Sequence, residues 1–282
     1  MSLSLSILAS GSSGNASVLR SPCGSILIDC GIGPRTTAAR MNHLGITLAD
    51  ICAICLTHLD SDHFNPVWLS KIIRHQIRVF CHESRIDDLN TIAGESPEFS
   101  QLIHPFNGKG FEPITNIEFT AIKLHHDEHS SHGFLAEASN SRVGYATDLG
   151  RFDERLIRHF AGVGLLAIES NYDPIMQLAS DRPLFLKRRI MGGKGHLSNE
   201  QALDAVQKIL DHAEIIGRPL PRHIVLLHRS RQCNCPNRLR ELFSADHRIA
   251  DRLILAEQDR PTPWLRAGES TAEFAQLELQ WS

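Results

Sequence analysis

Short apolar runs recur along the chain at strand length, each closed by Gly, Pro, Asn, Asp or Ser: SLSILA, ASVLR, SILIDC, ICAICLT, IRVFCH, IEFTAIKLH, GFLAEA, RVGYATDL, LLAIES, IVLLH and LILAE. Their length and their content of Ile, Val and Phe predict β-strands. Between them, helical spacing of apolar residues appears near 35–44, 64–75, 153–160, 198–212 and 236–245. Asp153 and Ser198 stand where N-caps belong, the second with Glu and Gln close behind it. Hairpin-like strand pairs near each end, interspersed with helices, predict mixed α/β (α+β) layers in place of a purely parallel sheet. Neither an internal repeat nor a low-complexity tract interrupts the pattern.

Composition narrows the picture. At 282 residues and 42% hydrophobic content, the chain is long enough to bury a substantial core, and one large domain over 1–266 with a short extension at 267–282 is the expected organisation. A formal net charge of −3 excludes a globally basic nucleic-acid binder, so a polyanion partner would need a local patch. Seven cysteines is an odd number, and Cys30, Cys52, Cys55 and Cys81 lie in apolar strand-like runs, as reduced core thiols do. Cys52 and Cys55 have metal-knuckle spacing, yet regular strand alternation would face them to opposite sides. The N-terminal MSLSLSILAS lacks the basic start and length of a signal core, and no window reaches membrane-spanning length. A soluble cytoplasmic protein is expected, with no membrane partner and no predictable protein partner.

Candidate chemistry concentrates at THLDSDHF, positions 57 to 64, directly after the apolar ICAICL. His58, Asp60, Asp62 and His63 stand where a buried strand runs out, and a turn there would send His58 and Asp60 one way and Asp62 and His63 another. His126 follows FTAIKL and His125, Asp148 follows VGYAT, and His228 follows IVLL. A single His or Asp after a strand is ordinarily a turn residue or a cap. Seven in such positions are better explained as groups that a rigid sheet holds at its edge while loops leave space for substrate.

THLDSDH resembles the His-x-His-x-Asp-His signature of the metallo-β-lactamase superfamily, and His126, Asp148 and His228 fall in that superfamily's order. More narrowly, LASGSSGNAS, TDLG, IESNYD, LKRRI, GHLSN and LLHRS resemble the YycJ/WalJ family of bacterial hydrolases. The resemblance implies a four-layer αββα sandwich with two divalent metal ions at one edge. His58, Asp60 and His126 would serve one ion, Asp62, His63 and His228 the other, and Asp148 would bridge them. Ions about 3.5 to 4 Å apart activate water for attack and neutralise charge on the attacked group. Asp62 and His196 are then the candidate catalytic side chains, His196 as donor to a leaving oxygen. The family pattern His-Asp-x falls on His126 rather than His125, leaving His125, His129 and His132 as exposed or supporting residues.

Asp60 stands where the signature has its second His. A carboxylate there shifts preference from zinc toward manganese or iron, and an iron redox site like that of flavo-diiron oxidoreductases is a rival, although the chain leaves no room for their flavodoxin-like domain. Cations in LKRRIMGGKG, chiefly Lys187 and Arg189, suit a phosphodiester whose flanking phosphates need holding, where a solvated helix face is the plain alternative. Ser12 and Asn15 in the SGSSGN loop, and Asn171 after LLAIES, are further candidate substrate contacts. Cys233 departs from the asparagine-rich segment that follows the last histidine in the family. The resemblance implies 5′ to 3′ DNA exonuclease-like activity; hydrolysis of a small ester, thioester or cyclic phosphodiester, and a non-catalytic metal-binding regulator, are the alternatives.

Overall fold

The computed structural model of the chain describes residues 2–126 and 131–268. Asp127, His129 and the 267–282 extension beyond Gly268 lie outside the described residues. The first sheet takes β1 (Ser4–Ala9), β2 (Ala16–Ser21), β3 (Gly24–Ile28), β4 (Ile51–Cys55), β5 (Arg78–His82) and β6 (Ile103–Phe106) in that order. The second takes β7 (Gly110–Ile114), β8 (Ile117–Leu124), β9 (Ser131–Ala138), β10 (Ser141–Ala146), β11 (Leu165–Glu169), β12 (His223–Leu227) and β13 (Leu253–Leu255), while β14 (Leu265–Arg266) returns to the first sheet beside β1. Each sheet begins as antiparallel hairpins and continues as parallel strands, from β3 to β6 in the first and from β10 to β13 in the second.

Three buried layers follow from which residues face which way. Leu5, Ile7, Ile26 and Phe80 of the first sheet meet Phe119, Phe134, Val143 and Val225 of the second in the central core. The other face of the first sheet is covered by Met41, Trp68, Ile72 and Leu89 from the 34–100 region. The other face of the second is covered by Leu156, Phe160, Val206, Ile209, Leu239 and Phe243. The result is the expected αββα sandwich. The helix Asn199–Ile215 shows why its sequence folds so: Ala202, Ala205, Val206, Ile209, Leu210 and Ala213 make one buried stripe. Ser198 and Gln201 close its first turn reciprocally, and Asp153 caps Glu154–Phe160 through the amides of Arg155 and Leu156.

Three features depart from the pattern-based reading. Strands β6 and β7 carry Pro105 and Pro113, which suppress a strand signal; both are edge strands, where a missing donor is tolerated. The basic LKRRI lies on a short helix, Leu184–Met191, preceded by Pro174–Ala179. Cys52 and Cys55 do not face opposite sides: the register shifts between Ser25 and Ile26 opposite β4, and both thiols pack against the central core. Neither joins a cluster of candidate metal ligands among the described residues.

Candidate metal centre

The strand ends converge on one edge of the sandwich. Asp29 follows β3, Thr57 to His63 follow β4, His126 follows β8, Asp148 follows β10, Glu169 ends β11 with Asn171 just beyond, and His228 follows β12. Parallel strands bring their C-terminal ends together, which is where open α/β sheets keep ligand sites. Asp29, Asp148 and His228 hold positive φ of 61, 54 and 51°, a conformation Asp and His tolerate better than most residues, and such sparsely populated backbone collects at sites.

Asp148 is the centre. It is buried; its Oδ2 lies 3.0 Å from His63 Nε2, and its Oδ1 lies 3.7 Å from His126 Nε2, 3.7 Å from His228 Nε2 and 3.6 Å from His196 Nδ1. Around it, His58, Asp60 and His126 form one group of potential ligand atoms mutually within 4.8 Å, and Asp62, His63 and His228 form another. All seven side chains singled out in the sequence therefore meet. Asp60 is the most open, with its carboxylate half exposed and 3.8 Å from His58 Nε2. His125 turns away toward Arg151 and Asp153, whereas the His126 ring stands 5.4 Å from that of His58.

The imidazoles are aimed from behind. Asp29 Oδ2 accepts from His63 Nδ1 at 2.7 Å, and Thr57 Oγ1, itself donating to Asp29, stands 3.0 Å from His58 Nδ1. Gly195 O accepts from His126 Nδ1 at 2.9 Å, and Glu169 Oε1 lies 3.2 Å from His228 Nδ1. Holding each ring at Nδ1 selects the tautomer that presents Nε2 inward. The Nε2 atoms of His58 and His228 are buried with no hydrogen-bond partner among the described residues. Two orphaned imidazole nitrogens would be costly in a finished core, so the donor set fits divalent cations.

The sequence marks Asp29 only as an acidic residue after the apolar ILI of SILIDC. Asp29→Asn is expected to weaken metal affinity about 10- to 100-fold, because His63 loses the charged carboxylate acceptor that orients it; titration of the metal-free protein with Zn²⁺ or Mn²⁺ in the presence of a competing chelator measures this.

Without metal, protons balance the carboxylates. Burial opposes the charged form of His63, but Asp148 and Asp29 outweigh it and its pKa is raised well above that of a free imidazole. Burial is likewise outweighed at His228, raised to about 10 by Asp148, Asp62 and Glu169. Burial and the neighbouring imidazoles push His58 the other way. Near neutral pH His63 and His228 thus carry protons that a cation must displace, so metal uptake should release protons and metal affinity should fall as pH is lowered. Calorimetry in buffers of different ionisation enthalpy checks it; an unchanged apparent enthalpy would contradict it.

Beyond the centre opens a cavity of about 450 Å³ lined by Ser12, Asp60, Asp62, His126, Asp148, Asn171, Arg182, Arg189, His196 and His228 among others. His196 Nδ1 donates to Glu169 Oε1 at 2.7 Å, and Glu169 also accepts from the amides of Leu149 and Leu197. Asn171 Nδ2 donates to His228 O at 2.6 Å. Asn15 and Lys187 do not line the cavity. Asn15 is buried, accepts from Gly11 N and reaches Asp62 O through Nδ2, so it braces the 57–63 loop. Lys187 Nζ donates to Leu178 O at 2.6 Å, which ties the two short helices together. Arg182, which stands outside the basic LKRRI run, also lines the cavity, as does Arg189.

A profile described as the beta-lactamase superfamily domain matches residues 25–224. "Exodeoxyribonuclease YycJ" of Bacillus anthracis is 26% identical over 230 residues, 82% of this chain and 83% of that one. "Exodeoxyribonuclease WalJ" of Streptococcus pneumoniae is 24% identical over 205 residues, 73% and 76% of the two chains. Among solved structures, the metallo-beta-lactamase fold protein YhfI from Bacillus subtilis superposes with a TM-score of 0.67 at 13% identity, covering 93% of this chain and 99% of its own. Zn²⁺-bound PqqB from Methylobacterium extorquens superposes with a TM-score of 0.63 at 14% identity, covering 92% and 99%. With its sandwich, its strand-end His and Asp cluster and the matched 25–224 span, the chain belongs to the beta-lactamase superfamily as a metallo-β-lactamase-fold protein.

Proposed function

We propose that this chain is a metal-dependent phosphodiesterase that removes nucleotides from DNA, with His58, Asp60 and His126 holding one cation, Asp62, His63 and His228 a second, and Asp148 between them. The observation that carries the reading is the convergence of those seven side chains beside a cavity that Arg182 and Arg189 also line. Paired guanidinium groups suit a phosphate backbone, and the relatives named exodeoxyribonucleases span most of the chain. Zinc, manganese and iron all suit the donor set, and the open Asp60 carboxylate favours the harder ions.

Divalent cations bound here supply water activation and charge neutralisation at the attacked phosphorus. The chain supplies the rest. The Asp62 carboxylate, at the cavity wall, takes a proton from the attacking water. His196 is held at Nδ1 by Glu169, which orients the ring and leaves Nε2 to give a proton to the departing oxygen. Ser12 and Asn171 border the same space. The cavity is lined largely by polar and charged side chains, which favours a charged phosphodiester over a small apolar ester.

Turnover of bis(p-nitrophenyl) phosphate and of 5′-phosphorylated single- and double-stranded DNA, each with Zn²⁺, Mn²⁺ or Fe²⁺, tests the proposal. Hydrolysis of the small diester together with stepwise shortening of the oligonucleotide from its 5′ end is expected. No hydrolysis above background with any of the three ions would make the chain a metal-binding regulator instead.

A further inference from the structure

The segment from Pro174 to Met191 has features that the proposed chemistry leaves unused. One side of it is anchored: Met176, Leu186, Ile190 and Met191 pack with Tyr172 and Cys233. The other side is bare. Ile175, Leu178, Leu184 and Phe185 are 69, 62, 70 and 73% exposed, half of the eight large hydrophobic residues that stand out in solvent among the described residues. Such a concentration of apolar surface beside a cavity marks a binding face.

Between the two short helices, Arg182 is pinned by three acceptors, with Nε on Gln232 Oε1, Nη1 on Gln177 Oε1 and Nη2 on Ser230 Oγ, all at 3.2 Å. None of those acceptors is a carboxylate, so they orient the guanidinium without cancelling its charge. Phe185 and Arg189 are four apart on one helix and so share a face, which joins the exposed ring to the cavity wall. From 174 to 195 the sequence has five basic residues and a single acidic one, Asp181.

We infer that this arm grips single-stranded nucleic acid at the cavity mouth, Arg182 and Arg189 holding a backbone phosphate while Phe185 stacks an unpaired base. The inference rests on the phosphodiesterase reading and names the form of substrate it acts on. An exposed aromatic face next to cations is how single strands are held regardless of sequence; a duplex keeps its bases stacked internally and offers none. A second copy of the chain is disfavoured as occupant because two such basic arms would repel, whereas a polyanion is attracted.

The test uses Phe185→Ala and Arg182→Gln in the full chain. Binding of a fluorescent 5′-phosphorylated oligo-dT to metal-free protein is followed by anisotropy, and kcat/KM is compared for oligo-dT and for bis(p-nitrophenyl) phosphate in the metal-loaded protein. Phe185→Ala should weaken oligo-dT binding about tenfold and lower kcat/KM for oligo-dT about tenfold more than for the small diester. Arg182→Gln should weaken binding and flatten its salt dependence. Wild-type affinity for oligo-dT in both variants, with wild-type oligonucleotide turnover intact, would overturn the inference and leave the phosphodiesterase reading standing. A wild-type protein that cleaves neither substrate would overturn both. A change of sedimentation behaviour in Phe185→Ala with unaltered oligo-dT affinity would assign the face to a second copy and overturn the inference.

Discussion

Asp148→Asn is expected to abolish turnover and to remove tightly held metal together. The carboxylate is buried and faces His63, His126, His196 and His228 at 3.0 to 3.7 Å, so it supplies negative charge shared between the two groups. Burial works against its ionised form, yet His228 and His63 hold its pKa well below the usual carboxylate range. The amide keeps the shape and discards that charge. A fall in kcat on the order of 10³-fold corresponds to about 4 kcal/mol of lost transition-state stabilisation, and metal content should fall with it. In the metal-free protein the same substitution removes the counter-charge that His63 and His228 share, leaving His63 only Asp29 and Asp62 and His228 only Asp62 and Glu169, so a loss of stability is expected. Activity, metal content by mass spectrometry and chemical denaturation of the metal-free protein separate these effects. An Asp148→Asn protein that keeps both metal and turnover would refute the bridging role.

Gly31→Ala should be nearly as damaging, although Gly31 carries no functional group. A Cβ at that position would land on the carbonyl of Asp62, far inside van der Waals contact, and 2.9 Å from the backbone nitrogen of Asn15. Both are main-chain atoms and neither can swing aside. Asn15 N donates to Asp62 O, Gly31 N donates to Asn15 O, and Cys30 N donates to His63 O, so the β3 end, the Gly11–Asn15 turn and the ligand loop move only together. Making room for one methyl group displaces Asp62 and His63 from Asp148. We expect a stability loss of about 3 kcal/mol or more and loss of one metal equivalent. Gly33→Ala serves as the control, since nothing lies within 4 Å of a Cβ there. Equal behaviour of the two variants would mean that the close approach of Gly31 to the loop does not matter.

The clustered His and Asp residues are legible in the sequence because strand ends are legible: an apolar run followed by His or Asp states both where the sheet stops and what stands at its edge. His58, His63, Asp148 and His228 all sit in such places. Their supports are harder to read. Asp29 looks like any acidic turn residue until the fold places its carboxylate 2.7 Å from His63 Nδ1, a contact between residues 34 apart. Asn15 reads as a loop contact for substrate, but the turn around Gly14 folds it inward beneath Asp62. Arg182 stands outside the LKRRI run that draws the eye, and only the packing of Pro174–Ala179 against the 230–233 turn brings it to the cavity. The two edge strands escaped notice because proline breaks the alternation that announces a strand. The bulge beside Cys52 undid an argument that assumed regular alternation.

Anomalous diffraction from crystals of the chain loaded with Mn²⁺ or Zn²⁺ tests the central claim most directly. Two peaks about 3.5 to 4 Å apart, on either side of Asp148, with one contacting His58, Asp60 and His126 and the other Asp62, His63 and His228, are predicted. Absence of any peak within this cluster at saturating metal, or ions bound only elsewhere on the surface, would contradict it.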